Sequence, residues 1–218
     1  AHKHMKTRKV LPHTPWSAPS LWRPTPLSLT VLLLSLALFG VGEAMLVLGA
    51  LGSTPWTVLA QGIALTTGMG LGWVTFGVSA VVLLLWLPLR MRPGIGTLCN
   101  MVVIAAVLGL TVQLLPAPDA LWARLLLCIG GVLTVGTASA LYLTCHLGAG
   151  PRDGLMVGIC RATGWRIGAV RTALEVSVCA VGWLLGGTFG VGTLLFAFGV
   201  GWVVQAAVAW IAPAAPSQ

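Results

Sequence analysis

Gly148-Ala149-Gly150-Pro151-Arg152-Asp153-Gly154-Leu155, running on through Met156 and Ile159 to Arg161-Ala162-Thr163-Gly164, interrupts a chain that is otherwise a succession of apolar runs. An earlier segment echoes it. Shifted by about 96 positions, Gly52-Ser53-Thr54-Pro55-Trp56-Thr57 lies over its start, and Leu59, Gly62, Ile63, Thr67 and Gly68 meet Leu155, Gly158, Ile159, Thr163 and Gly164. From Gly40 to Leu98 the register holds without a gap, with identities at roughly eighteen of fifty-nine positions. These include Gly94-Ile95-Gly96-Thr97-Leu98 against Gly190-Val191-Gly192-Thr193-Leu194. Shared hydrophobicity does not align glycines, prolines and threonines, so the chain reads as a duplication.

The runs between these segments set the class. With 57% hydrophobic residues, 7% charged residues and a mean hydropathy of +0.98, the chain departs far from a soluble domain, where about a quarter of residues are charged. It is an integral membrane protein, and 218 residues leave room for six spans of about 20 residues each. The spans read as Leu27 to Ala50, Leu71 to Leu89, Gly94 to Leu115, Leu121 to Cys145, Ile167 to Leu185 and Gly190 to Ile211. Between them lie the motif copies, residues 51–70 and 147–166, and a turn at 116–120 signalled by Pro116-Ala117-Pro118-Asp119. The organisation expected is a basic, proline-rich tail (1–26), a membrane repeat (27–115), the outer turn (116–120), a second repeat (121–211) and a short tail (212–218).

Twelve Lys and Arg stand against four Asp and Glu. In a soluble chain this would suggest nucleic acid; here the basic residues gather at span ends and report orientation, so nucleic acid is discounted. With the tail (Lys3, Lys6, Arg8, Lys9, Arg23) inside, Arg90, Arg92, Arg152, Arg161 and Arg166 also fall inside, which makes ten of the twelve cytoplasmic. Three spans per repeat is an odd number, so the halves are inverted. The expected location is a cell membrane with both termini cytoplasmic. The tail itself is read as disordered or resting on an anionic leaflet. The chain opens on Ala1 rather than Met, so its first residues are read as an added segment, and His2, His4 and His13 as parts of a tail rather than a metal site.

The Gly-Ala-Gly-Pro-Arg-Asp-Gly-Leu-Met block at 148–156, Arg171 and Glu175 in the following span, Leu184-Leu185-Gly186-Gly187 and the paired Gly-x-Gly-Thr-Leu stretches resemble the YczE branch of the YczE/YyaS/YitT bacterial membrane proteins. The likeness covers about Gly40 to Gln205. It implies a multi-pass membrane protein and says little of activity. Where that family usually shows Gly-Pro-Trp-Asp in the first motif copy, this chain has Thr54-Pro55-Trp56-Thr57, so only the second copy keeps the carboxylate.

Pro151 suits the first helical position, and Asp153 is placed to accept free first-turn amides, so each motif should open a short helix. Arg152 would sit beside those amides and Arg161 on the opposite face, toward the cytosol. Two readings of Arg152 and Asp153 stand together: a ligand site for an anionic group, or a fastening of the loop to neighbouring helices. Arg171 and Glu175 are one turn apart, and Glu175 lies close to mid-membrane, where ionisable groups are expensive and usually functional. They would pair with each other, or Glu175 with Arg152; their first-half counterparts are Thr75 and Ser79. Glu43 is the third acidic candidate, with Asn100, Gln113 and Gln205 as polar partners, and Trp56 occupies the first-copy place of Arg152. Trp22, Trp73, Trp86, Trp122, Trp165 and Trp183 fall near span ends, as interface anchors do.

The five cysteines fall mostly in apolar runs without metal-type spacing, and His146 lacks a partner at catalytic spacing. No nucleophile elbow, phosphate loop or metal-ligand set is present, so neither an enzyme nor a cofactor is expected. Inverted repeats, each broken by a Gly/Pro-led segment, point to secondary transporters. The expectation is therefore a transporter or permease of a small solute, anionic if Arg152 binds it, using Arg152, Asp153, Arg171, Glu175, Glu43 and Trp56. Proton binding by Glu175 would make transport pH-dependent. The alternatives are a solute-binding subunit energised by a membrane partner and a non-transporting accessory protein; a homo-oligomer suits any of them.

Overall fold

The computed structural model describes residues 12–211, and these form eight helices, with a lone bridge between Ser20 and Arg23 as their only strand-like pairing. They are α1 (Pro26–Gly49), α2 (Pro55–Thr67), α3 (Leu71–Leu84), α4 (Ile95–Leu114), α5 (Leu121–Leu143), α6 (Pro151–Thr163), α7 (Ile167–Leu184) and α8 (Val191–Ile211). α1, α4, α5, α7 and α8 are each long and apolar enough to cross a membrane. α3 stops short of the expected Leu89. Its 14 residues rise about 21 Å, less than the ~30 Å hydrocarbon core, and it counts as a sixth span only together with α2, from which it is bent by 118°. Pro88, which bars the α conformation at Leu87, ends it, and Leu85–Arg90 unwinds into turns.

α1 and α5 form the spine. Gly42 meets Val135 and Thr134, Gly131 meets the Gly42 carbonyl and Leu46, and Gly49 meets Cys128; small residues let the two backbones approach closely. α4 lies on α1 at Gly40, and α8 lies on α5 at Gly136. The short helices cross over: α2 packs on α7, and α6 packs on α3.

Each short helix follows a tight, inward loop. Gly52 and Gly148 hold φ of +111° and +110°, and Gly68 and Gly164, which close α2 and α6, hold +73° and +71°, values suited to glycine. The loops are seated by the opposite half of the chain. Gly192 N–H donates to Leu51 O and Gly96 N–H to Leu147 O, both at 2.8 Å. Ser53 N–H reaches Thr188 O, and the Thr97 hydroxyl reaches Ala149 O.

One seam breaks the correspondence. α3 packs along α4, with Gly72 against Gly109 and the Ala105 carbonyl. No comparable seam joins α7 to α8, and the space beside Gly168, which aligns with Gly72, is open.

The described part of the N-terminal tail is docked rather than disordered. Trp16 Nε1–H donates to Thr144 Oγ1 (3.0 Å), the Ser17 hydroxyl to Thr144 O (2.7 Å), Ala18 N–H to Cys145 O and Ile95 N–H to Leu21 O. His13 stacks on His146. The indole and its apolar neighbours thus cap the end of α5, which the basic composition concealed. Residues 1–11 and 212–218, with His2, His4 and four of the tail's cations, lie outside the described residues.

Candidate functional site

A cavity of about 370 Å³ lies between the two halves, and all six residues singled out in the sequence line it: Glu43, Trp56, Arg152, Asp153, Arg171 and Glu175. Its walls come in pairs about 96 positions apart. Glu43 and Ser139, Trp56 and Arg152, Thr75 and Arg171, Ser79 and Glu175, and Ile104 and Val200 all face it.

Glu43, on α1, is 1% exposed. Its Oε1 accepts from Arg152 Nη1 at 3.3 Å and from the Thr54 hydroxyl at 3.3 Å. The Thr54 hydroxyl also lies 2.9 Å from Thr57 Oγ1, so its one proton serves one neighbour at a time. Glu43 Oε2 is buried without a partner, and so is the Thr75 hydroxyl. Thr54 is the N-cap of α2, and its contact with Glu43, six residues before the end of α1, shows how deep the loop reaches: about 9 Å back along that helix.

Arg152 reaches across from α6, its guanidinium carbon 5.7 Å from the centre of the Trp56 ring. This joins the counterpart positions of the two motif copies through a cation–π contact. The pairing of Arg152 with Glu175 does not form; Glu43, distant in sequence, takes that place. Arg171 and Glu175 do pair, Nε to Oε1 at 3.2 Å within α7, with side chains 48% and 24% exposed. Thr75 and Ser79, opposite them, are buried.

Asp153 does not cap α6. Gly150 is the N-cap, no side chain bonds the first-turn amides, and Asp153 Oδ2 instead accepts the Tyr142 hydroxyl at 2.8 Å. The α5 tyrosine passes closer than the amides of Asp153's own turn, and sequence reading missed it because a lone Tyr in an apolar run gives no signal. Trp86 is likewise no interface anchor. It is 3% exposed, turned under α6 with Nε1–H on Pro151 O at 2.9 Å. Trp22, Trp73, Trp122, Trp165 and Trp183 are exposed, as anchors should be. Asn100 and Gln205 line the cavity, whereas Gln113 lies in an apolar groove outside α3 and α4. Arg161 is exposed on the far face of α6.

The N-termini of α2 and α6 both open on the cavity, through Thr54, Pro55 and Trp56 and through Gly150, Arg152 and Asp153. A helix start carries partial positive charge; at α2 the Thr57 N–H is taken by Thr54 Oγ1, whereas no side chain bonds the first-turn amides of α6, which favours an anionic group there. The lining supplies three carboxylates and two guanidiniums, so its formal charge is about −1 with every group ionised. Ionisable groups inside an apolar bundle are costly to keep there and make such a cavity a candidate functional site.

Fold and site together define a multi-pass, all-helical membrane protein with a polar cavity walled by both halves of its chain. The chain belongs to a family of unknown function, DUF6198, whose model matches residues 27–208. It is 52% identical over 200 residues, 92% of each chain, to a Haemophilus influenzae protein described as uncharacterized. It is 32% identical over 157 residues, 72% of this chain and 73% of the relative, to the uncharacterized membrane protein YczE of Bacillus subtilis. The likeness to YczE read from the Gly-Pro-Arg-Asp block is thereby borne out. No solved structure matches the chain.

Proposed function

We propose that the protein is a transporter of a small solute, built as two inverted repeats that bind it between them. The observation that carries this reading is a cavity lined by counterpart residues of both halves, shut along α3 and α4 and open along α7 and α8. Two copies of one unit holding different conformations supply alternating access: exchanging the conformations opens the closed flank and closes the open one. With the arginine-rich span ends in the cytoplasm, Gly168 and Arg171 at the start of α7 lie on the inner side, so the present state faces inward. The volume suits a small metabolite, at the lower end of ligand pockets.

Spin-label pairs at Trp73 and Leu110, and at the corresponding Ala169 and Ala206, test this in lipid nanodiscs. Expected are two populations whose distances change in opposite senses, the first pair lengthening as the second shortens, when pH is varied or acetate, lactate or sulfate is added. One unchanging distance in each pair under every condition would remove the transport reading. It would leave a binding subunit or accessory protein, in which the exposed Arg171–Glu175 flank of α7 receives a membrane partner or a second copy.

A further inference from the structure

We propose that the cavity takes a small anion between the N-termini of α2 and α6 beside Arg152, and that Glu43 takes up one proton as the anion binds, so that the two cross together. The inference rests on the transport reading and names the chemistry of the same site.

Three observations carry it. The first turn of α6 has no side-chain cap, and Arg152 and Asp153, which carry its free backbone N–H groups because Pro151 has none, both line the cavity. Arg152 makes one hydrogen bond, a long 3.3 Å contact to Glu43 Oε1, and lies over the Trp56 ring; turned from Glu43, its fork can hold an anion by two N–H groups. Glu43 Oε2 is buried with no partner and almost no accessible surface. A solute atom has no room there, but a proton needs none.

Charge decides how these parts act together. Facing Glu43 across the cavity are Arg152 and Asp153 from α6, Tyr142 from α5, and Arg171 and Glu175 from α7; α2, α3, α4 and α8 present only uncharged groups. An anion entering this lining alone would meet a formal charge of about −1 and would have to draw Arg152 from Glu43. The carboxylate would then be left in a dry wall with its guanidinium taken, an arrangement proteins avoid by neutralising the group. A proton on Oε2 resolves both difficulties. The anion replaces Glu43 as the partner of Arg152, Glu43 becomes a neutral acid, and a monovalent anion with its proton leaves the charge of the lining unchanged, while for divalent sulfate the proton offsets half of the added charge. Anion affinity should therefore rise as pH falls.

The test is calorimetric titration of purified, folded protein with acetate, lactate and sulfate near neutral pH, repeated in buffers of different ionisation enthalpy to count protons. Expected is binding of at least one of the three with about one proton taken up per anion. Glu43→Gln should bind the same anion with no proton uptake and a flat pH profile, Glu43→Asp should restore the uptake, and Arg152→Ala should weaken binding at least tenfold. Binding without proton uptake, uptake that persists in Glu43→Gln, or no binding of any of the three by the wild type would overturn the proposal. Label distances that move while proton-linked binding is absent would sink this inference alone; fixed distances with proton-linked binding intact would sink transport and keep the binding chemistry.

Discussion

Gly154 shows how much a single missing methyl group decides here. A Cβ at that position would overlap the six-membered ring of Trp86, which is itself fixed by its bond to Pro151 O. The turn at Leu85–Arg90, the burial of Trp86 and the seating of α6 thus depend on one another. Gly154→Ala is expected to cost about 1–3 kcal/mol through overpacking, read as a lower melting temperature in detergent. Gly77→Ala on α3, where an added Cβ meets nothing within 4 Å, should be neutral or slightly stabilising. Equal melting of the two variants would show that the ring can move aside. At this scale the sequence was partly legible. The charges worth watching could be named, because a membrane span holds so few, but their partners could not. Arg152 finds Glu43 across 109 positions, and spacing along one helix can reveal only neighbours such as Arg171 and Glu175.

The elements were largely readable because apolar runs interrupted by glycine and proline leave few places for a helix to begin or end. α1, α4, α5, α7 and α8 lie where hydropathy set them, and both motif copies open short helices at Pro55 and Pro151. Hydropathy failed where an apolar segment is not a helix. Leu85 to Leu89 unwinds, and residues 12–25 dock although they are polar and proline-rich. That docked strap ties the end of α5 to the start of α4, and Trp16 is its best-anchored side chain. Trp16→Ala should release it, so that the Ala18 and Ile95 amides exchange with deuterium faster while amides in the middle of α1 and α5 do not. Uniform acceleration would mean general destabilisation, and none would mean that Trp16 does not hold the strap.

For the molecule as a whole, the two halves correspond in their loops, their short helices and the walls they give the cavity, and they differ in the α3–α4 seam, which α7 and α8 lack, and in α3, which is shorter than α7. Inverted orientation predicts that Met69 and Trp165, exposed at matching ends of α2 and α6, lie on opposite sides of the membrane. In a background without native cysteines, Met69→Cys should react with an impermeant thiol reagent from outside and Trp165→Cys only after the membrane is opened. Reaction of both from one side would make the halves parallel and leave the open and closed flanks without a common explanation.

The exchanged loops also impose an order in time. The group that receives Gly192 N–H is the carbonyl of Leu51, made some 140 residues earlier in synthesis. Until α7 is inserted the first short helix has no seat, and until α8 follows the polar backbone ahead of it must wait for a partner that the ribosome has not yet supplied. A truncation near the C-terminus therefore harms the N-terminal half first, and the wait is a natural opening for whatever assists membrane insertion.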